Sequence, residues 1–215
     1  MTKENELYPK LFTWLFIGLL VSFATGYGLS MNEVLAAKVL SIGILPIVII
    51  ELLIAIFMGK KLGTMSDITM KICYMIYCFT TGLTFASIFI IYELTSLVTI
   101  FLATSLIFGL LALYGYKTKK DISKIGPILL VGLIVSIIIS LLNVFIFHSS
   151  ALELIITVVG IMIFCGYVIY DMKLVRNLLE TVGEEKAAVY GAFGLYLDFI
   201  NLFIRIVNLF GDRKN

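Results

Sequence analysis

Long apolar runs, interrupted by short clusters of charged and turn-forming residues, dominate the chain. Roughly 20 apolar residues at 1.5 Å rise per residue are needed to cross a hydrocarbon core of about 30 Å. Hydropathy and charge breaks predict seven such helices, over about 11–29, 34–58, 68–92, 95–116, 125–147, 152–175 and 187–210. The residue-by-residue alternation of a membrane β-barrel is missing, so the predicted fold is an all-α integral membrane protein with a single transmembrane domain over 1–215. The last segment is polar enough to suit a re-entrant hairpin as well; a full span is favoured.

Composition agrees with the pattern. Hydrophobic residues make up 61% and charged residues 14%, and the mean hydropathy is +1.10; ordinary soluble domains have about 45–50% apolar and 25% charged residues. The bilayer is therefore the partner the sequence names, and no separate soluble domain fits in 215 residues. A net charge of +2 gives no reason to expect a nucleic-acid partner, and no protein partner is identified. Cys73, Cys78 and Cys165 lie in apolar runs without metal-like spacing and read as small buried residues; no cofactor is expected. The first apolar run follows Lys3 and Lys10, but its length and the spans after it make it an uncleaved helix rather than a secretory signal.

Charge placement predicts orientation. Lys3 and Lys10 precede the first span, Lys60, Lys61 and Lys71 flank the second connection, Lys117, Lys119, Lys120 and Lys124 the fourth, and Lys173, Arg176 and Lys186 the sixth. Only Lys38 falls in the first, third or fifth. Basic loops favour the cytoplasm, so the N-terminus is expected there, in a bacterial plasma membrane. A full seventh span then leaves Arg213 and Lys214 outside, against the rule.

Three acidic residues sit within these apolar segments. Asp171 ends Tyr167-Val168-Ile169-Tyr170-Asp171, Asp198 lies in Gly194-Leu195-Tyr196-Leu197-Asp198-Phe199-Ile200-Asn201, and Glu51 follows Pro46-Ile47-Val48-Ile49-Ile50. Ionisable groups at membrane depth are costly and mark functional sites by default. At 100° per residue, Ala187, Gly191, Gly194, Asn201, Arg205 and Asn208 share with Asp198 a sector about 120° wide, a stripe that is first small and then polar. Such a stripe suits a helix surrounded by others, with Asn side chains able to bond across the contact.

Two neighbouring carboxylates cannot both ionise cheaply, so Asp171 and Asp198 are expected to share a proton and titrate as a unit, a pH sensor. Deprotonated, the same oxygens are hard ligands suited to Ca²⁺. Glu51 is either a protonated structural hydrogen-bonder or part of an ion path. An intramembrane aspartyl protease would use the same pair, one carboxylate activating water and the other protonating the leaving group. Its Gly-x-Gly-Asp pattern is broken here by Tyr196. A non-transporting scaffold, in which the pair only locks the last helix, is the other alternative. His148, in a turn, reads as a solvated loop residue, and the residues support no other enzymatic class.

The stretch Gly194–Phe203, the Tyr170-Asp171 pair and Gly115-Tyr116-Lys117-Thr118-Lys119-Lys120-Asp121 together resemble a bacterial member of the Bax inhibitor (transmembrane Bax-inhibitor-motif) family along nearly the whole chain. The resemblance implies seven helices, the last one central and wrapped by two three-helix groups. It also implies a pH-sensitive calcium leak with Asp171 and Asp198 as sensor and gate and Glu51 in the ion pathway, Ca²⁺ and protons being the species handled. Family members carry an arginine latch at the cytoplasmic end of the second span. Lys60 and Lys61 stand there in this chain, point charges without the bidentate fork of arginine.

Overall fold

A computed structural model describes residues 3–214, without the side chains of residues 3–5, 33, 40, 42 and 44, so the Lys3 charge invoked for orientation lies outside it. Among the described residues the chain is helical almost throughout: α1 Lys3–Ser30, α2 Glu33–Ile42, α3 Ile44–Lys61, α4 Asp67–Ile91, α5 Leu94–Lys117, α6 Ile125–Leu142, α7 Ser150–Val182 and α8 Glu184–Phe210. A π-helical turn, Asn143–Phe147, continues α6.

Six of these helices are long and apolar enough to cross a membrane: α1, α4, α5, α6 with its π turn, α7 and α8. The second predicted span is instead two helices. Gly43 adopts a φ of 85°, a conformation that L side chains rarely take, and the chain turns there between α2 and α3. Pro46 then falls in the first turn of α3, where its missing N–H is not needed. A helix of 10 residues is about 15 Å long, too short to cross, and α3 carries Glu51, Lys60 and Lys61 within its 18 residues. The sixth span is longer than expected. Helix α7 continues past Lys173 and Arg176 to Val182, so Asp171 lies inside the helix rather than near its end.

The chain packs as two compact units. The first comprises Met1–Leu94, Val175–Tyr196 and Asp212–Asn215. Its core is α1 against α4, brought close by small residues: a Cβ on Gly82 would lie 2.9 Å from the Ser22 carbonyl oxygen and 2.6 Å from Thr25 Cβ. Phe23 and Phe85 meet edge to face beside this contact, 5.1 Å between ring centroids.

The course of α8 is fixed within this unit. Its first turn carries Glu184 and Glu185, which pair with Lys10 near the start of α1 and Lys71 near the start of α4. Beyond its last turn, Asp212–Lys214 return to the far end of α4: the Glu93 amide donates to the Asp212 carbonyl at 2.8 Å and the Lys214 amide to the Ile91 carbonyl at 2.9 Å. Between these anchors α8 is one unbroken helix of 27 residues, about 40 Å long. It starts near the start of α4 and ends near its end, so the last segment is one continuous helix long enough to cross and not a hairpin.

The second unit comprises Thr95–Leu174 and Leu197–Gly211. Gly115 of α5 lies against the Ile169 backbone of α7, where a Cβ would come within 2.7 Å of a carbonyl oxygen. Phe199 of α8 packs edge to face on Phe101 and Phe108 of α5, at 5.4 and 5.5 Å. Asn143 closes the connection from α6 to α7, its amide donating to the Ser149 carbonyl at 3.1 Å and its side-chain oxygen accepting from the Ser149 N–H at 2.9 Å. Each unit thus takes one half of α8. The apolar window of that helix is 72% buried, against 11% for α6, so α8 is enclosed by protein while α6 presents most of its surface outward.

Candidate functional site

Asp171 on α7 and Asp198 on α8 both belong to the second unit, and each lies within electrostatic reach of the other. The Tyr167 hydroxyl, one turn before Asp171, feels both carboxyls. The two acids are not equivalent. Asp198 is only 4% exposed and its Oδ2 has no hydrogen-bond partner, whereas Asp171 is half-buried. A buried carboxyl oxygen without a donor is a poor place for negative charge, and a second carboxylate beside it makes it poorer. Among the described residues no cluster of three or more His, Cys, Asp or Glu could hold a metal. Two carboxyls alone fall short of the six to eight oxygen ligands that a resident Ca²⁺ takes.

Glu51 lies in the first unit, half-buried on α3, where its Oε1 accepts a hydrogen bond from Thr81 Oγ1 on α4 at 2.9 Å. Close by is a second buried polar group that sequence reasoning did not single out. Tyr196 of α8 is fully buried, and its hydroxyl meets Ser22 Oγ of α1 at 2.5 Å. Ser22 Oγ in turn lies 2.7 Å from the Cys78 carbonyl and 3.0 Å from the Gly18 carbonyl. The residue that breaks the protease pattern is therefore a structural anchor tying α8 to α1. A Tyr within an apolar run gives no sign of this, since its hydroxyl is as easily placed at a membrane surface.

The remaining stripe residues divide. The Asn201 amide donates to the Leu197 carbonyl of its own helix at 2.8 Å. Arg205 reaches α7, where Nη1 donates to the Ile156 carbonyl at 3.3 Å and Cζ sits 5.5 Å from the Phe164 ring centre. Gly160 makes the room, because a Cβ there would lie 2.1 Å from Arg205 Cζ. The buried Nε of Arg205 has no acceptor. Arg205 and Asn208 line a cavity of about 660 Å³ in the second unit, together with Ser136, Ser140, His148 and Glu153. His148, with a φ of 48°, is an exposed turn residue at this cavity.

Lys60 and Lys61 are exposed in the last turn of α3, in the first unit. The second unit holds Asp171, Asp198, Arg205 and Asn208, with Arg205 and Asn208 at the cavity and the two aspartates outside its lining, while Glu51 and the two lysines belong to the first.

A family model described as "Inhibitor of apoptosis-promoting Bax1" matches residues 4–215. The chain is 33% identical over 216 residues to the inner membrane protein YbhL of Escherichia coli K12, covering 95% of this chain and 91% of that one. An uncharacterised protein of Borreliella burgdorferi is 33% identical over 219 residues, covering 99% and 94%. One of Deinococcus radiodurans is 32% identical over 223 residues, covering 99% and 96%.

Proposed function

The chain belongs to the Bax inhibitor family, and we propose that this multi-pass membrane protein is a pH-sensitive calcium leak of the bacterial plasma membrane, gated by protonation of Asp171 and Asp198. What supports the reading is two acids on adjoining helices of one unit, Asp198 buried with an unpartnered oxygen. That oxygen gains little as a structural tie, because it lacks a donor, and a carboxyl changes charge when it loses its proton. Lost protons leave hard oxygen ligands suited to Ca²⁺, so proton occupancy and cation passage compete for the same atoms. Glu51 supplies a further carboxyl within the membrane. Lys60 and Lys61 are the candidate counter-charges of a closed state, and their point charges would make that latch weaker than an arginine fork. An inner-membrane relative supports the location, and the basic connections support a cytoplasmic N-terminus.

Purified protein in liposomes loaded with a Ca²⁺ indicator tests this directly. Ca²⁺ entry should exceed that of protein-free vesicles, and Glu51→Gln should reduce it severalfold. Entry equal to that of empty vesicles would leave only the scaffold reading.

A further inference from the structure

The cavity in the second unit lies apart from the aspartate pair, neither member of which lines it. Its chemistry is specific. Arg205 lines it with a guanidinium held in place by Phe164 and the Ile156 carbonyl, its Nε–H sealed beside Gly160. A guanidinium fixed at a cavity calls for an oxyanion. Glu153, exposed in the first turn of α7, presents a carboxylate to the same space, and Ser136 and Ser140 add hydroxyls. Ile137, Leu141 and Val144 also line it and are 51%, 53% and 60% exposed, an apolar rim on the outward surface of α6 and its π turn. A free inorganic anion would use only Arg205. A ligand that uses all three features carries an oxyanion, a cation and hydrocarbon.

We propose that this cavity binds the headgroup of a zwitterionic aminophospholipid, with the phosphate on Arg205, the ammonium towards Glu153 and the first acyl carbons along Ile137, Leu141 and Val144. His148 at the same cavity is a further donor to the phosphate. The site is independent of ion flux.

The test is lipid retention by the full-length protein, counted by native mass spectrometry after incubation with equal amounts of phosphatidylethanolamine, phosphatidylcholine and phosphatidylglycerol of matched acyl chains. One phosphatidylethanolamine per chain should be retained, preferred over the other two by about tenfold, the order of one charge-assisted hydrogen bond. Glu153→Gln, a substitution at an exposed position, should bring ethanolamine and choline lipids close to parity. Gly160→Ala places a methyl group in the seat of the guanidinium, a flexible side-chain end that can swing away without unfolding the helix pair. It should lower retention of every phospholipid by about tenfold, with an unchanged melting profile as the control for folding. Soluble phosphoethanolamine at matched concentration should not displace the lipid; displacement would assign the site to a soluble phosphomonoester and overturn the proposal. Equal retention of the three lipids by the parent, or retention unaffected by Gly160→Ala, would overturn it as well.

Discussion

Asp198 is almost wholly buried, yet one of its oxygens has no donor, and a second acid, Asp171, stands on the adjoining helix. A residue kept for stability would be better satisfied. Asp198→Asn removes the charge and keeps the size, so near neutral pH the variant should melt at the same temperature as the parent or a few degrees higher, at about 2–4 °C per kcal/mol for a chain of this length. A lower melting temperature would favour the scaffold role. Glu51 presents the opposite case, an acid with a dedicated donor. Thr81→Val leaves Glu51 Oε1 without its hydrogen bond and should cost about 1–3 kcal/mol, and adding Glu51→Leu should restore part of that loss. A double-mutant cycle of thermal melts measures the coupling. Both acids were legible in the sequence because charge inside an apolar run is conspicuous. Ser22, Thr81 and Tyr196 were not, since hydroxyls are tolerated anywhere along a membrane helix and only packing decides which of them meet.

At the level of elements, small residues decide where helices touch. Gly82→Ala would drive a methyl group against the Ser22 backbone carbonyl, which cannot swing aside, and should destabilise the α1–α4 pair by about 1–3 kcal/mol in chemical denaturation of the detergent-solubilised protein. Most of the apolar runs coincide with one helix each, because length and hydropathy are what the bilayer selects. It misplaced the second, where a continuous apolar run from 34 to 58 hid a change of direction at Gly43. Glycine in an apolar run reads equally well as a packing residue, so only the backbone shows that this one turns. The π turn at Asn143–Phe147 left no mark in the pattern either, and its consequence is Asn143 positioned to close the link to α7.

For the molecule as a whole, the expected positive-inside orientation and a last helix that runs its full length pull against each other at Arg213 and Lys214, and local chemistry bears on both residues. Both residues lie at the C-terminal end of α4, where the helix dipole favours cations. Lys214 Nζ donates to the Phe89 carbonyl at 2.8 Å, and the Arg213 guanidinium lies over the Tyr92 ring, 5.9 Å from its centre. These contacts hold both basic residues at that end of α4, which the proposed cytoplasmic N-terminus puts outside. Single cysteines in a cysteine-free background should therefore react with an impermeant maleimide from outside intact cells at Arg213→Cys and only after lysis at Lys61→Cys. Labelling of both from the same side would contradict the topology. The central claim is that proton occupancy of Asp171 and Asp198 sets the cation permeability of the membrane. Its most direct test is the pH profile of Ca²⁺ entry into proteoliposomes for the parent, Asp171→Asn and Asp198→Asn. The account predicts a steep change with pH in the parent that is flattened or displaced in both variants; three superimposable profiles would contradict it.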